Sequence, residues 1–209
     1  NEDGSMARRD DLMAFAREHG LKIGTVADLI AYRVRNERTV ERVADCELPT
    51  EYGRFHLYAY QDTVDEAMHF ALVRGRPTPE EPTLVRVQIQ NTLSDLFATQ
   101  MPDHGWPLHA ALRQMVEVDT SVMVMLRKPN DAEDVLTRMR ELQRGPERGD
   151  EAAPDGKDSQ TAQDLRTYGV GAQILTDLGV RRMRVLSAPK RMHGLSGFGM
   201  EVVEYVEPG

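Results

Sequence analysis

Six consecutive residues, Ser121-Val122-Met123-Val124-Met125-Leu126, carry no charge and put apolar side chains on both faces of an extended backbone. A run of that length and character reads as a buried strand, and a buried strand requires a sheet around it and layers over it. The chain on either side supplies candidates. Phe55, Leu57 and Ala59 alternate with His56, Tyr58 and Tyr60, and Met68, Phe70 and Leu72 alternate with His69, Ala71 and Val73. Leu84-Val85-Arg86-Val87-Gln88-Ile89 follows a Pro-rich turn, so three neighbouring antiparallel strands are expected. Leu108, Leu112, Met115 and Val116 keep helical spacing, as do Val135, Leu136, Met139 and Leu142. A further helix carries Leu165, Ile174, Leu175 and Leu178 and ends at Gly179; strand 180–186, a loop and strand 198–206 follow. The alternation of types predicts an α/β (mixed α+β) domain, a mixed sheet flanked by helices.

The N-terminal stretch differs from the rest. Leu12, Phe15 and Ala16 recur at helical spacing, and Thr25 is placed to cap a second helix with Val26, Leu29, Ile30 and Val34. Arg33 to Glu41 is highly charged and poor in apolar residues, which suits a linker. The expected division is a helical segment and linker over residues 1–41 and a main domain over 42–209. With 209 residues, 40% of them hydrophobic, one substantial core or one core plus a small appendage is within reach. Residues 143–161 hold three Gly, two Pro and many acids with almost no large apolar side chain, and a mobile loop is expected there.

Composition narrows the function classes. A net charge of −8 argues against a nonspecific nucleic-acid binder or an anionic-membrane binder, which need clustered Lys and Arg. There is no run of about eighteen apolar residues, and the chain begins Asn1-Glu2-Asp3-Gly4-Ser5 without a basic stretch followed by an apolar one. A soluble cytoplasmic protein is the expectation. Cys46 is the only cysteine, so neither an internal disulfide nor a multi-cysteine metal site can form, and the thiol is expected to be a small buried side chain. His104 and His109 lie five apart rather than at the three or four that puts two ligands on one helical face.

Tyr168-Gly169-Val170-Gly171-Ala172-Gln173-Ile174-Leu175-Thr176-Asp177-Leu178-Gly179-Val180 closely resembles the signature near the C-terminal end of the GTP cyclohydrolase II family. Met183 to Ser187, Gly194 to Gly199 and Val202 to Glu204 continue in family order. Upstream, Leu48-Pro49-Thr50-Glu51-Tyr52-Gly53 and Leu84-Val85-Arg86-Val87 resemble the family's opening strand and the strand entering its active site, so the resemblance runs over about residues 42–206. Residues 1–35, with Asn1 to Arg8 and His19-Gly20-Leu21-Lys22-Ile23-Gly24-Thr25, resemble the tail of 3,4-dihydroxy-2-butanone 4-phosphate synthase, which many bacteria fuse ahead of the cyclohydrolase for riboflavin biosynthesis. The resemblance places the synthase's own active site upstream of Asn1.

The family opens the imidazole ring of GTP with a zinc-activated water, and three thiolates hold the zinc. Those positions fall here on Asn91, Pro102 and His104, of which only His104 has a zinc ligand's chemistry; His-Ser-Glu before the first is replaced by Gln88-Ile89-Gln90. The run that in the family helps bind triphosphate and magnesium reads Arg127-Lys128-Pro129-Asn130-Asp131-Ala132-Glu133, without the matching glutamate and second arginine. Neither a zinc nor a magnesium cofactor is therefore expected, and GTP binding is expected to be weak or absent.

What remains of the family's machinery is Asp164 and Arg166, matching its Asp-x-Arg proton acceptor and nucleophile; Arg86; Ser187, resembling a nucleotide-contacting threonine; and Lys190 or Arg191 in place of a substrate-binding lysine. The plainer reading makes Asp164 a helix N-terminal acid and Arg166 a solvated or salt-bridged cation, with both vestigial for catalysis. Two functional expectations follow. One is a noncatalytic, homodimeric relative that assembles, stabilises or regulates an attached synthase domain. The other is a protein that kept a pocket for a purine nucleotide but changed its ligand or chemistry. A third arrangement has the first 35 residues completing a synthase site in another chain.

Overall fold

A computed structural model describes residues 4–24, 29, 32, 36–97, 106–127, 131–144, 157–188 and 198–207. The elements in chain order are α1 (Arg9–Glu18), β1 (Val40–Thr50), β2 (Gly53–Asp62), β3 (Met68–Arg74), β4 (Thr83–Ile89) and α2 (Thr92–Phe97). Then come α3 (Leu108–Val116), β5 (Ser121–Leu126), α4 (Asp131–Arg144), α5 (Lys157–Asp177), β6 (Arg182–Leu186) and β7 (Glu201–Val206). The expected α/β class is the observed one.

The uncharged run is β5, in the middle of a seven-stranded sheet of order β1-β2-β3-β5-β4-β6-β7. It pairs antiparallel with β3 on one side and parallel with β4 on the other, and all but Met125 of its residues are buried. β4 departs from the expected antiparallel triplet, since it pairs parallel with β5 and β6. The reason lies in what joins it to β5: chain containing α2 and α3 crosses over and returns in the same direction, whereas β2 and β3 are joined by a tight reversal.

Each face of the sheet carries its own core. On one, Tyr60, Ala71, Val85, Val122 and Val124 meet Ile174 and Leu175 of α5. On the other, Phe55, Leu84, Met123 and Leu186 meet Leu112 and Met115 of α3 and Trp106. Gly171 is where α5 comes close to the strands: a Cβ there would lie 3.4 Å from Val87 Cγ1 and 3.6 Å from Leu126 Cδ1. The helix ends at Gly179 with φ +83°; the Val180 N–H donates to Leu175 O at 3.0 Å and the Gly179 N–H to Thr176 O at 3.1 Å. That paired bonding satisfies the carbonyls of Leu175 and Thr176, and Val180 and Leu175 are buried in the same core.

Several expectations shift. Cys46 is exposed, because β1 is an edge strand whose middle is covered on neither face. The charged stretch before β1 is no free linker: β1 begins at Val40, the Thr39 N–H donates to Gln173 Oε1 at 2.9 Å, and Gln173 Nε2 donates to Glu37 O at 3.2 Å. The expected loop over 143–161 is helical at both ends, in α4 to Arg144 and in α5 from Lys157; residues 145–156 lie outside the described residues. The strands expected from 180 and 198 begin at Arg182 and Glu201. α1 matches the first expected helix, and most of the second lies outside the described residues.

Candidate functional site

β4 ends against α2, and the polar residues there are closely interconnected. Even-numbered side chains of β4 share the face of Leu84, toward Trp106 and α3, while Val85 and Val87 face α5. On the α3 face the Arg86 guanidinium donates to Leu186 O at 2.7 Å, to Trp106 O at 3.1 Å and to Gln88 Oε1 at 3.4 Å. Burial pushes its pKa below the ordinary arginine value, opposed by the charge of Asp95. Gln88 Nε2 donates to Asp95 Oδ1 at 2.6 Å, the Asn91 N–H donates to Asp95 Oδ2 at 2.9 Å, and the Trp106 indole donates to Val206 O at 2.9 Å.

Asn91, the residue on which the resemblance sets the family's first thiolate, caps α2. Its Oδ1 accepts the N–H groups of Leu93 at 3.1 Å and Ser94 at 3.3 Å, which a helix start otherwise leaves unsatisfied. Pro102 and His104 lie outside the described residues. Among the described residues no group of three or more His, Cys, Asp or Glu is arranged to hold a metal ion.

A second cluster lies on the α5 side of the sheet. Arg166 places one guanidinium nitrogen 2.9 Å from Asp62 Oδ2 and 2.9 Å from Asp65 Oδ2, bridging the end of β2 to the turn that follows. Asp62 has a side chain only 2% exposed, so the arginine supplies the charge that a buried carboxylate needs. His69, also buried, accepts the Arg127 N–H at Nδ1 (3.2 Å), which leaves the proton of the neutral ring on Nε2; that atom has no hydrogen-bond partner among the described residues. Burial lowers the His69 pKa, outweighing the opposing charges of Asp62 and Asp65.

Those residues singled out from the sequence whose side chains are described do not converge. Arg86 and Arg166 occupy opposite faces of the sheet, each engaged with protein partners. The helix starts at Lys157, so Asp164 lies well inside α5 and is not the N-terminal acid of the plainer reading; the placement of its side chain lies outside the described residues. Ser187, just past β6, turns its hydroxyl to Ala188 O at 2.9 Å. Lys190 and Arg191 lie outside the described residues.

The C-terminal signature contains a third cluster that sequence reasoning missed. Asp177 accepts Arg38 at 2.7 Å, Arg42 at 2.6 Å and the buried Tyr60 hydroxyl at 2.9 Å. Arg42 also stacks over the Tyr58 ring, 4.3 Å from its centroid. Arg38 sits in the charged stretch from Arg33 to Glu41 and Arg42 directly follows it, and that charge was the available signal. The signature's role in this chain is therefore traceable: Val170, Ala172, Ile174 and Leu175 pack the core, Gln173 and Asp177 secure the start of β1, and Gly179 ends the helix.

Comparison with known proteins gives a consistent picture. The family model described as GTP cyclohydrolase II matches residues 41–207. A protein of Pseudomonas aeruginosa named 3,4-dihydroxy-2-butanone 4-phosphate synthase is 48% identical over 99% of this chain and 54% of its own length. A riboflavin biosynthesis protein RibBA of Chlorobium phaeovibrioides is 39% identical over 99% of this chain and 50% of its length. The crystal structure of RibBX from A. baumannii, described as a two-domain 3,4-dihydroxy-2-butanone 4-phosphate synthase, superposes with a TM-score of 0.69 at 38% identity, over 100% of this chain and 52% of that one. The chain thus spans about half the length of the relatives it matches. No helix among the described residues is long and apolar enough to cross a membrane.

Proposed function

The chain belongs to the GTP cyclohydrolase II family, and from that premise we propose that it is a noncatalytic member acting in riboflavin biosynthesis, where it assembles, stabilises or regulates an attached 3,4-dihydroxy-2-butanone 4-phosphate synthase. What supports this reading is Asn91, which the sequence resemblance aligns with a zinc thiolate and whose side-chain carbonyl caps α2. An amide engaged in capping, a proline and one imidazole do not suit zinc, which takes thiolate, imidazole and carboxylate ligands in tetrahedral sets. No reaction step is therefore assigned through a metal. Arg166 supports the same reading, since two aspartates hold the guanidinium that the family uses as a nucleophile. Residues 1–35 then form the end of the synthase, and two copies of the whole protein form the assembly.

The test is to express the synthase region with and without residues 42–209 and compare turnover, thermal stability and sedimentation. Loss of stability or assembly on deletion is expected, and a synthase unchanged in all three would sink the proposal. Incubation of the chain with GTP, zinc and magnesium should release no formate. Calorimetric titration with GTP and GMP should give no saturable heat; saturable binding lost in Arg166→Ala would replace this reading with that of a nucleotide-binding protein.

A further inference from the structure

We infer that Asp95 organises the junction of β4 and α2, holding by hydrogen bonds a piece of chain that the family orders around metal-bound thiolates. The inference rests on this chain's own residues and stands whether or not the domain serves a synthase. α2 has six residues, too few to persist alone, and of its apolar side chains Leu93 is only half-buried while Leu96 and Phe97 are 73% and 69% exposed, so apolar burial holds it weakly. Asp95, only 8% exposed, receives donors from three directions: Gln88 Nε2 at 2.6 Å, the Asn91 N–H at 2.9 Å and Ser94 Oγ at 3.4 Å. Asn91 in turn caps the same helix, while Gln88 passes the connection to Arg86 and so to Leu186 and Trp106. Strand, loop and helix meet at one carboxylate. A metal could take that carboxylate only by displacing donors that would then be buried without partners.

Hydrogen–deuterium exchange of the full chain, read by mass spectrometry over residues 88–97, tests this. In Asp95→Asn the amide group turns a donor toward other donors, and exchange in that peptide should rise roughly ten-fold or more, with α5 unchanged. EDTA or added zinc should leave wild-type exchange unchanged. Gln88→Leu, which removes one donor and keeps the carboxylate, should raise exchange in the same peptide several-fold and serves if Asp95→Asn does not fold. Wild-type exchange accelerated by EDTA, or folded variants exchanging like wild type, would overturn the inference.

Discussion

Asp177 and His69 show how single side chains here set the pH response of the fold. Burial by itself would push the Asp177 pKa up, but hydrogen bonds from Arg42 and Tyr60 and the charges of Arg42 and Arg38 bring it below the usual carboxylate range. A depressed carboxylate contributes stability that is complete above about pH 4 and disappears as pH falls through the folded value. Asp177→Asn should cost about 2 kcal/mol at neutral pH, since it weakens three bonds of which one leaves a buried tyrosine hydroxyl poorly paired. The gap between variant and wild type in urea denaturation should narrow below about pH 4, and a gap independent of pH would contradict this origin. His69 acts at higher pH. Its lowered pKa keeps it neutral when folded, while the unfolded chain takes up a proton near pH ~6.5, so stability falls on acidification below that value. In His69→Gln, which preserves an acceptor for the Arg127 N–H, the drop in unfolding free energy between pH 7.5 and 5.5 should be smaller than in wild type. Arg166 could be picked from the sequence by its resemblance to the family, but Asp62, 104 residues away, could not, because nothing local to either residue announces the other.

At the scale of elements, α5 does the most positioning. Its cap needs a residue at φ +83°, where a Cβ is disfavoured, so Gly179→Ala should cost about 1 kcal/mol and lower the melting temperature by a few degrees. An unchanged melting temperature would mean that the cap relaxes at no cost. The bounds of β5 could be read to the residue from its uncharged apolar run, and the end of α5 was marked by Gly179. The start of α5 was hidden, because residues 143–161 have the composition of a loop and the helical register appears only where the apolar residues begin. The partners of β4 were hidden too. An apolar strand looks the same whether its neighbours run parallel or antiparallel, and only the length and helical content of the connections tell them apart. Cys46 misled for a related reason: the tendency of a free cysteine to be buried does not say whether its strand will be at the edge.

Across the whole molecule, two cores share one sheet, and β5 supplies Val122 and Val124 to one and Met123 to the other. Damage to either face should therefore be felt on both. The only tryptophan, Trp106, lies on the α3 face, whereas Ile174 is fully buried on the α5 face. Ile174→Ala should cost about 2–5 kcal/mol, and the unfolding midpoint seen by Trp106 fluorescence should move together with that seen by far-ultraviolet circular dichroism. Separate midpoints would mean that the faces unfold independently. The clamp on the first strand has a mechanical consequence. Val40 pairs with Asp62 at the open end of the first hairpin, so a pull transmitted from upstream would load the β1–β2 ladder one bond at a time, the geometry in which strands peel at low force. Arg38 and Arg42 anchor that end to Asp177, at the tip of a helix seated on the sheet. Of the two, Arg38 lies ahead of the first rung and Arg42 within the ladder opposite Tyr60, so tension entering from the N-terminal side meets the Arg38–Asp177 bond before it reaches the hairpin.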